Sequence, residues 1–108
     1  MTESHEIQSL RYSRHLGLDD FTQQSQEKLS AASVLIIGVG GLGTTASLFL
    51  ANSGIGNIIL NDYDSVDITN LPRQILFNSD DLGKNKAETA KKKLMKFNPN
   101  ISVKTLTE

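Results

Sequence analysis

Between Lys28 and Asp62 the sequence carries no charged side chain, and Gly38, Gly40, Gly41 and Gly43 fall inside that interval. A membrane-spanning helix would need about 18 residues of unbroken apolar sequence. The glycines divide the run, and Thr44, Thr45, Ser47, Asn52 and Ser53 interrupt what remains. What fits instead is a buried strand followed by a buried helix. Val34-Leu35-Ile36-Ile37 is apolar without alternation, the pattern of a parallel strand covered on both faces. Leu42, Ala46 and Phe49 then share one helical face with Leu50 beside it, and Gly54 supplies a C′ stop, which predicts a helix over about residues 43–53. Asn57-Ile58-Ile59-Leu60 reads as a second buried strand.

The same alternation continues downstream. Ala87, Ala90 and Leu94 place one face of a helix over about residues 84–97 on the core, while Lys91, Lys92, Lys93 and Lys96 form its solvated side and Asn98-Pro99 ends it. Ile101, Val103 and Thr105 against Ser102, Lys104 and Leu106 predict a third strand. Residues 32–108 therefore predict a Rossmann-like βαβαβ core, an α/β half of a doubly wound parallel sheet. At 108 residues and 11.8 kDa there is room for one domain. An N-terminal helical segment, residues 1–31, precedes the core, with helices expected at about 6–16 and 19–31. In the first of these, Ile7, Leu10, Arg11 and Arg14 fall in one narrow stripe. Arginines on an apolar stripe should reach an anion or a partner.

Charge and cysteine content narrow the function classes. A net charge of −1 gives no bulk electrostatic case for nucleic acid or a membrane surface as partner. The charge is sorted, however: residues 1–81 hold four basic and ten acidic side chains, and residues 84–104 hold seven lysines and one glutamate. With no cysteine, the chain contains no disulfide, no thiolate nucleophile and no Cys-ligated zinc. His5 and His15 have no carboxylate at ligand spacing and read as surface residues, so no metal ligand is assigned. Thr2-Glu3-Ser4-His5-Glu6 has neither the basic nor the apolar region of a secretory leader, and a cytoplasmic protein is expected.

Gly38-Val39-Gly40-Gly41-Leu42-Gly43 satisfies G-x-G-x-x-G between a predicted strand and a predicted helix. Gly38 permits the tight turn, Gly40 lets backbone approach a phosphate, and Gly43 lets helix and strand pack closely. The helix start behind them favours an anion. Asp62, after the second strand, is placed to accept hydrogen bonds from ribose hydroxyls, the alternative being an ordinary acidic loop with Asp64 and Asp67. A diphosphate needs few cations, yet Arg73 follows that loop and Lys84 and Lys86 open a helix, where lysine opposes the macrodipole unless an anion lies in front of it. Arg73 and Lys86, joined by Arg14, would neutralise a triphosphate; the alternative for each lysine is a solvated surface charge.

Taken together, Arg11-Tyr12-Ser13-Arg14, the glycine turn, Asp62-Tyr63-Asp64, Asn70-Leu71-Pro72-Arg73-Gln74 and Gly83-Lys84-Asn85-Lys86-Ala87 resemble the N-terminal half of the MoeB/ThiF/HesA family, bacterial relatives of ubiquitin-activating enzymes. The resemblance implies an ATP-dependent adenylyltransferase that activates the C-terminal glycine of a ubiquitin-like sulfur-carrier protein as an acyl-adenylate, as in molybdopterin or thiamine biosynthesis. It further implies that Gly41 contacts phosphates through its backbone, Asp62 holds the ribose, Asn70 and Arg73 grip the phosphate tail, and Lys86 offsets charge on the α-phosphate. Arg14 would reach the nucleotide of the second subunit of a homodimer. Family members continue with further strands, an aspartate that holds Mg2+, a carrier-docking surface and often a zinc-binding cysteine pair. None of these lies within the 108 residues, so the chain is expected to be either a fragment of a longer enzyme, with the Mg2+ aspartate beyond residue 108, or a truncated relative that binds without catalysing. The competing readings are an NAD-dependent oxidoreductase domain, which shares the turn and Asp62 but has no use for the cations, and a binding or dimerisation module of the same family without catalysis.

Overall fold

The Thr22 hydroxyl accepts the Ser25 N–H and the Ser25 hydroxyl accepts the Thr22 N–H, a reciprocal cap that starts helix α1 (Gln23–Ala31). The expected start near residue 19 moves to Gln23, because extended Thr22 is the cap. The structure, a computed structural model, describes residues 7, 10–12, 22–69, 71 and 76–107. After α1 come strand β1 (Ser33–Ile37), helix α2 (Gly41–Ser53), strand β2 (Asn57–Asn61), a short 3-10 turn at Ser79–Asp81, helix α3 (Lys86–Phe97) and strand β3 (Ser102–Leu106). The sheet order is β1-β2-β3, with both pairs parallel. The βαβαβ expectation holds, its elements running from Ser33 to Leu106. Leu35 lies beside Ile59, which lies beside Lys104, and Ile37 beside Asn61 and then Leu106.

Parallel neighbours need crossovers, and crossovers of one hand between strands added in one direction put their helices on one face. Ile58, Leu60 and Val103 accordingly pack with Ala51 of α2 and with Ala87, Ala90 and Leu94 of α3, the α3 face read from the sequence. Val34 and Ile36 join them at the margin. The other face differs from expectation: Leu35 is 52% and Ile37 77% exposed, so β1 is covered on one side. β1 is also an edge strand.

Helix α2 departs from its predicted face as well. Leu42 and Phe49 are 91% and 69% exposed, and Ala46 is exposed with them, while Thr44, Ser47 and Ala51 are buried. Small residues let the helix lie close to the sheet. The buried hydroxyls are satisfied within the helix, Thr44 donating to the Gly40 carbonyl at 2.7 Å and Ser47 to the Thr44 carbonyl at 2.9 Å. Gly54, at φ +95°, ends α2 as expected. Helix α3 begins at Lys86, because Asn85 is its cap; Lys84 stays outside it and exposed. Asn98 ends α3.

Of the first expected helix, Ile7, Leu10 and Arg11 are described and helical. Tyr12, next to them, is buried, and its hydroxyl accepts the Asn98 amide at 2.7 Å. Arg11 donates to the Phe97 carbonyl at 2.9 Å, so its partner is the C-terminal end of α3, where a cation is favoured. No helix among the described residues is long and apolar enough to cross a membrane.

Candidate functional site

The carboxyl ends of β1 and β2 carry the site. Gly38 continues the strand pairing by donating to the Asn61 carbonyl at 2.8 Å, then turns the chain at φ +87°, a conformation that favours glycine. A Cβ at Gly43 would stand 2.0 Å from the Gly38 carbonyl oxygen, so the third glycine is required by contact between helix and turn. A Cβ at Gly40 would meet nothing within 4 Å. Among the described residues, nothing packs against that position or demands glycine there. Gly40 caps α2 with no side-chain hydrogen bond, and no acidic residue stands in the first turn. The N–H groups of that turn, Gly41 among them, have no acceptor within the helix and form an anion-receptive end.

Asp62 is buried, and both of its carboxylate oxygens are engaged. One accepts the Val39 N–H at 2.7 Å and the other the Asp64 N–H at 2.8 Å. The carboxylate thus braces the glycine turn from the neighbouring strand, a role that sequence spacing does not reveal. Each oxygen keeps a lone pair that a ribose hydroxyl can use.

The next loop joins α3 to this frame. Val66 donates to the Lys84 carbonyl at 2.8 Å, Gly83 to the Val66 carbonyl at 2.9 Å and Lys86 to the Asp64 carbonyl at 2.9 Å. Lys86 is 8% exposed, and no ion pair to it occurs among the described residues. Asp67 lies near enough to feel its charge. The Asp67 carboxyl is held below its ordinary range mainly by hydrogen bonds from the Thr69 N–H and hydroxyl, with Lys86 contributing a smaller attraction. Asp67 is an exposed carboxylate that accepts local hydrogen bonds from Thr69.

Of the residues singled out in the sequence, Gly38, Gly40, Gly41, Gly43, Asp62 and Lys86 occupy this end of the sheet, on the turn, the strand end and the helix start that frame it. Arg14, Asn70 and Arg73 lie outside the described residues. Sequence reasoning missed Asn85, which stands between two lysines. Its side chain caps α3 through the Glu88 N–H at 3.0 Å and donates to the Asp62 carbonyl at 3.0 Å. No group of three His, Asp or Glu side chains among the described residues can hold a metal ion.

A polar, anion-receptive end on a βαβαβ frame matches known proteins in sequence as well as in shape. The chain is 44% identical over 99 residues to the sulfur carrier protein ThiS adenylyltransferase of Escherichia coli K12, covering 92% of this chain and 39% of that protein. It is 45% identical over 103 residues to the molybdopterin-synthase adenylyltransferase of Haemophilus influenzae, covering 95% of this chain and 42% of the other. The crystal structure of E. coli MccB with ATP superposes with a TM-score of 0.80 at 45% identity, covering 91% of this chain and 30% of that one. The chain thus spans about two fifths of the length of these curated relatives. The ThiF family profile matches residues 12–108, and the chain belongs to the ThiF family.

Proposed function

We propose that the chain is the ATP-binding part of an adenylyltransferase that activates the C-terminal glycine carboxylate of a ubiquitin-like sulfur-carrier protein. The observation that carries this reading is Lys86, a nearly buried cation with no ion-pair partner among the described residues. A buried charge is costly unless it is paired, and a phosphate is the partner that the adjoining glycine turn is built to receive. A dinucleotide, with two phosphates, has no use for Lys86 together with Arg73 and Arg14. The names of the E. coli and H. influenzae relatives support adenylation and the sulfur-carrier substrate class.

In this reading the carrier carboxylate attacks the α-phosphorus, a new acyl–oxygen–phosphorus link forms, and the bond to the β-phosphate breaks to release pyrophosphate. The N–H groups of the α2 first turn receive the phosphates. Asp62 accepts ribose hydroxyls on its remaining lone pairs, and Lys86 offsets charge developing on the α-phosphoryl oxygens. Asn70 and Arg73 hold the phosphate tail, and Arg14 arrives from the second copy of a homodimer. No protein nucleophile is needed, because orientation and electrostatic stabilisation carry an in-line displacement. Magnesium accompanies ATP as substrate, and the described residues contribute no step through it. Exposed Leu42 and Phe49 support self-association. The cytoplasm is the expected compartment.

Calorimetric titration of the 108-residue chain with ATP and NADH, side by side, tests the reading. ATP should bind and NADH should not, and Lys86→Met should weaken ATP at least tenfold, equivalent to about 1.4 kcal/mol. Preferential NADH binding that survives Lys86→Met would remove it.

A further inference from the structure

Asn85 joins three parts of the site that are distant in sequence. Its Nδ2 donates to the Asp62 carbonyl at 3.0 Å and to the Asp64 carbonyl at 3.4 Å, and its Oδ1 accepts the Glu88 N–H at 3.0 Å. Two carbonyls on one side and an N–H on the other fix which way the amide faces. The Asp64 carbonyl also receives the Lys86 N–H at 2.9 Å, and the Asp62 carboxylate holds the Val39 N–H. One side chain therefore connects the first turn of α3 to the residue that braces the glycine turn.

We propose that Asn85 is a positioning residue for the nucleotide site, setting the Lys86 end of α3 at a fixed offset from Asp62 and, through it, from the glycine turn. The proposal rests on the ATP reading above. A helix cap alone requires only an acceptor, which serine, aspartate or threonine supplies equally well. The two bonds to loop carbonyls require a donor at the length of an asparagine amide. They have no part in capping. Binding energy lost when such a frame loosens appears as weaker nucleotide binding even though no contact to the nucleotide has been removed.

Asn85→Ser separates the two roles, since serine caps the helix without adding charge and is too short to span the loop. Amide hydrogen exchange on the whole chain should show Val39 and Asp64 exchanging about tenfold faster in Asn85→Ser while Glu88 keeps its parental rate. ATP affinity should fall about tenfold in the same variant. Asn85→Ala should add faster exchange at Glu88. Parental exchange at Val39 and Asp64 in Asn85→Ser would overturn the bridge, and faster exchange with parental ATP affinity would overturn its bearing on the site. If the unaltered chain binds no ATP, the functional reading falls, and with it the nucleotide role of Asn85, while the exchange rates still decide whether the bridge exists.

Discussion

The two faces of the β1–β2 pair are built to different standards. Towards α2 and α3, Ile58 and Leu60 are fully buried and the polar groups among them are hydrogen-bonded. On the opposite face Leu35 and Ile37 stand open, and Leu42 and Phe49 of α2 are open as well. At the carboxyl end of the sheet the bracing groups resemble the first face, because Asp62, Asn85 and the Asp64 carbonyl are each engaged by more than one partner, while Lys86 and the first-turn N–H groups of α2 stay available to a ligand. Local completeness at the site and apolar exposure elsewhere teach that the frame around the glycine turn is internally specified. The open face of β1 is left uncovered by the described residues.

The strongest way to break that contrast is to shorten one side chain on each face. Leu60→Ala should cost about 2–5 kcal/mol in chemical denaturation, as deletion of a packed core group does. Ile37→Ala, at dilute concentration, should stay within about 0.5 kcal/mol. Equal losses would show that Ile37 is covered in solution. A smaller effect separates the glycines of the turn. Gly43→Ala drives a methyl group into the Gly38 carbonyl and should cost about 1–3 kcal/mol, whereas Gly40→Ala should leave stability nearly unchanged and weaken ATP instead. Loss of stability in both, with ATP affinity intact, would mean that the space before Gly40 receives no phosphate.

The smallest effect concerns acid. Burial pushes the Asp81 carboxyl up, but hydrogen bonds from Lys93, at 2.5 Å, and from the Asn78 N–H, with the charges of Lys93 and Lys84, outweigh it and leave the group below its ordinary range. A carboxyl depressed on folding adds stability above its unfolded value of about 3.9 and loses it as pH falls through the folded value. Lys93→Met should therefore lower stability at pH 7 and flatten the decline below pH 4. A parallel shift of the whole profile would assign the loss to packing.

Much of the frame could be read from residue order. The apolar run of β1, the Gly54 stop, and the spacing of Ala87, Ala90 and Leu94 were sufficient because each reflects a local rule. The contact face of α2 was not readable. A helix without charges presents several apolar stripes, and the winning one is chosen by how closely Thr44 and Ser47 allow it to approach the sheet. Asn85 escaped for a related reason. The carbonyls it bonds lie more than twenty residues away, and between two lysines an asparagine is indistinguishable from an ordinary turn residue. Asp62 follows the second strand as the sequence suggested, but its grip on Val39 depends on how two strand ends face each other.

The hydrogen bond between Tyr12 and Asn98 bears on how this protein can be trimmed. Asn98 is sealed from solvent, and its amide protons are divided between the Tyr12 hydroxyl and the Ala51 carbonyl. A shortened version beginning after residue 12 would strand one of those protons in a vacated hole beneath both helices. Tyr12, where the family match begins, thus belongs to the packing at the ends of α2 and α3 rather than to an appendage.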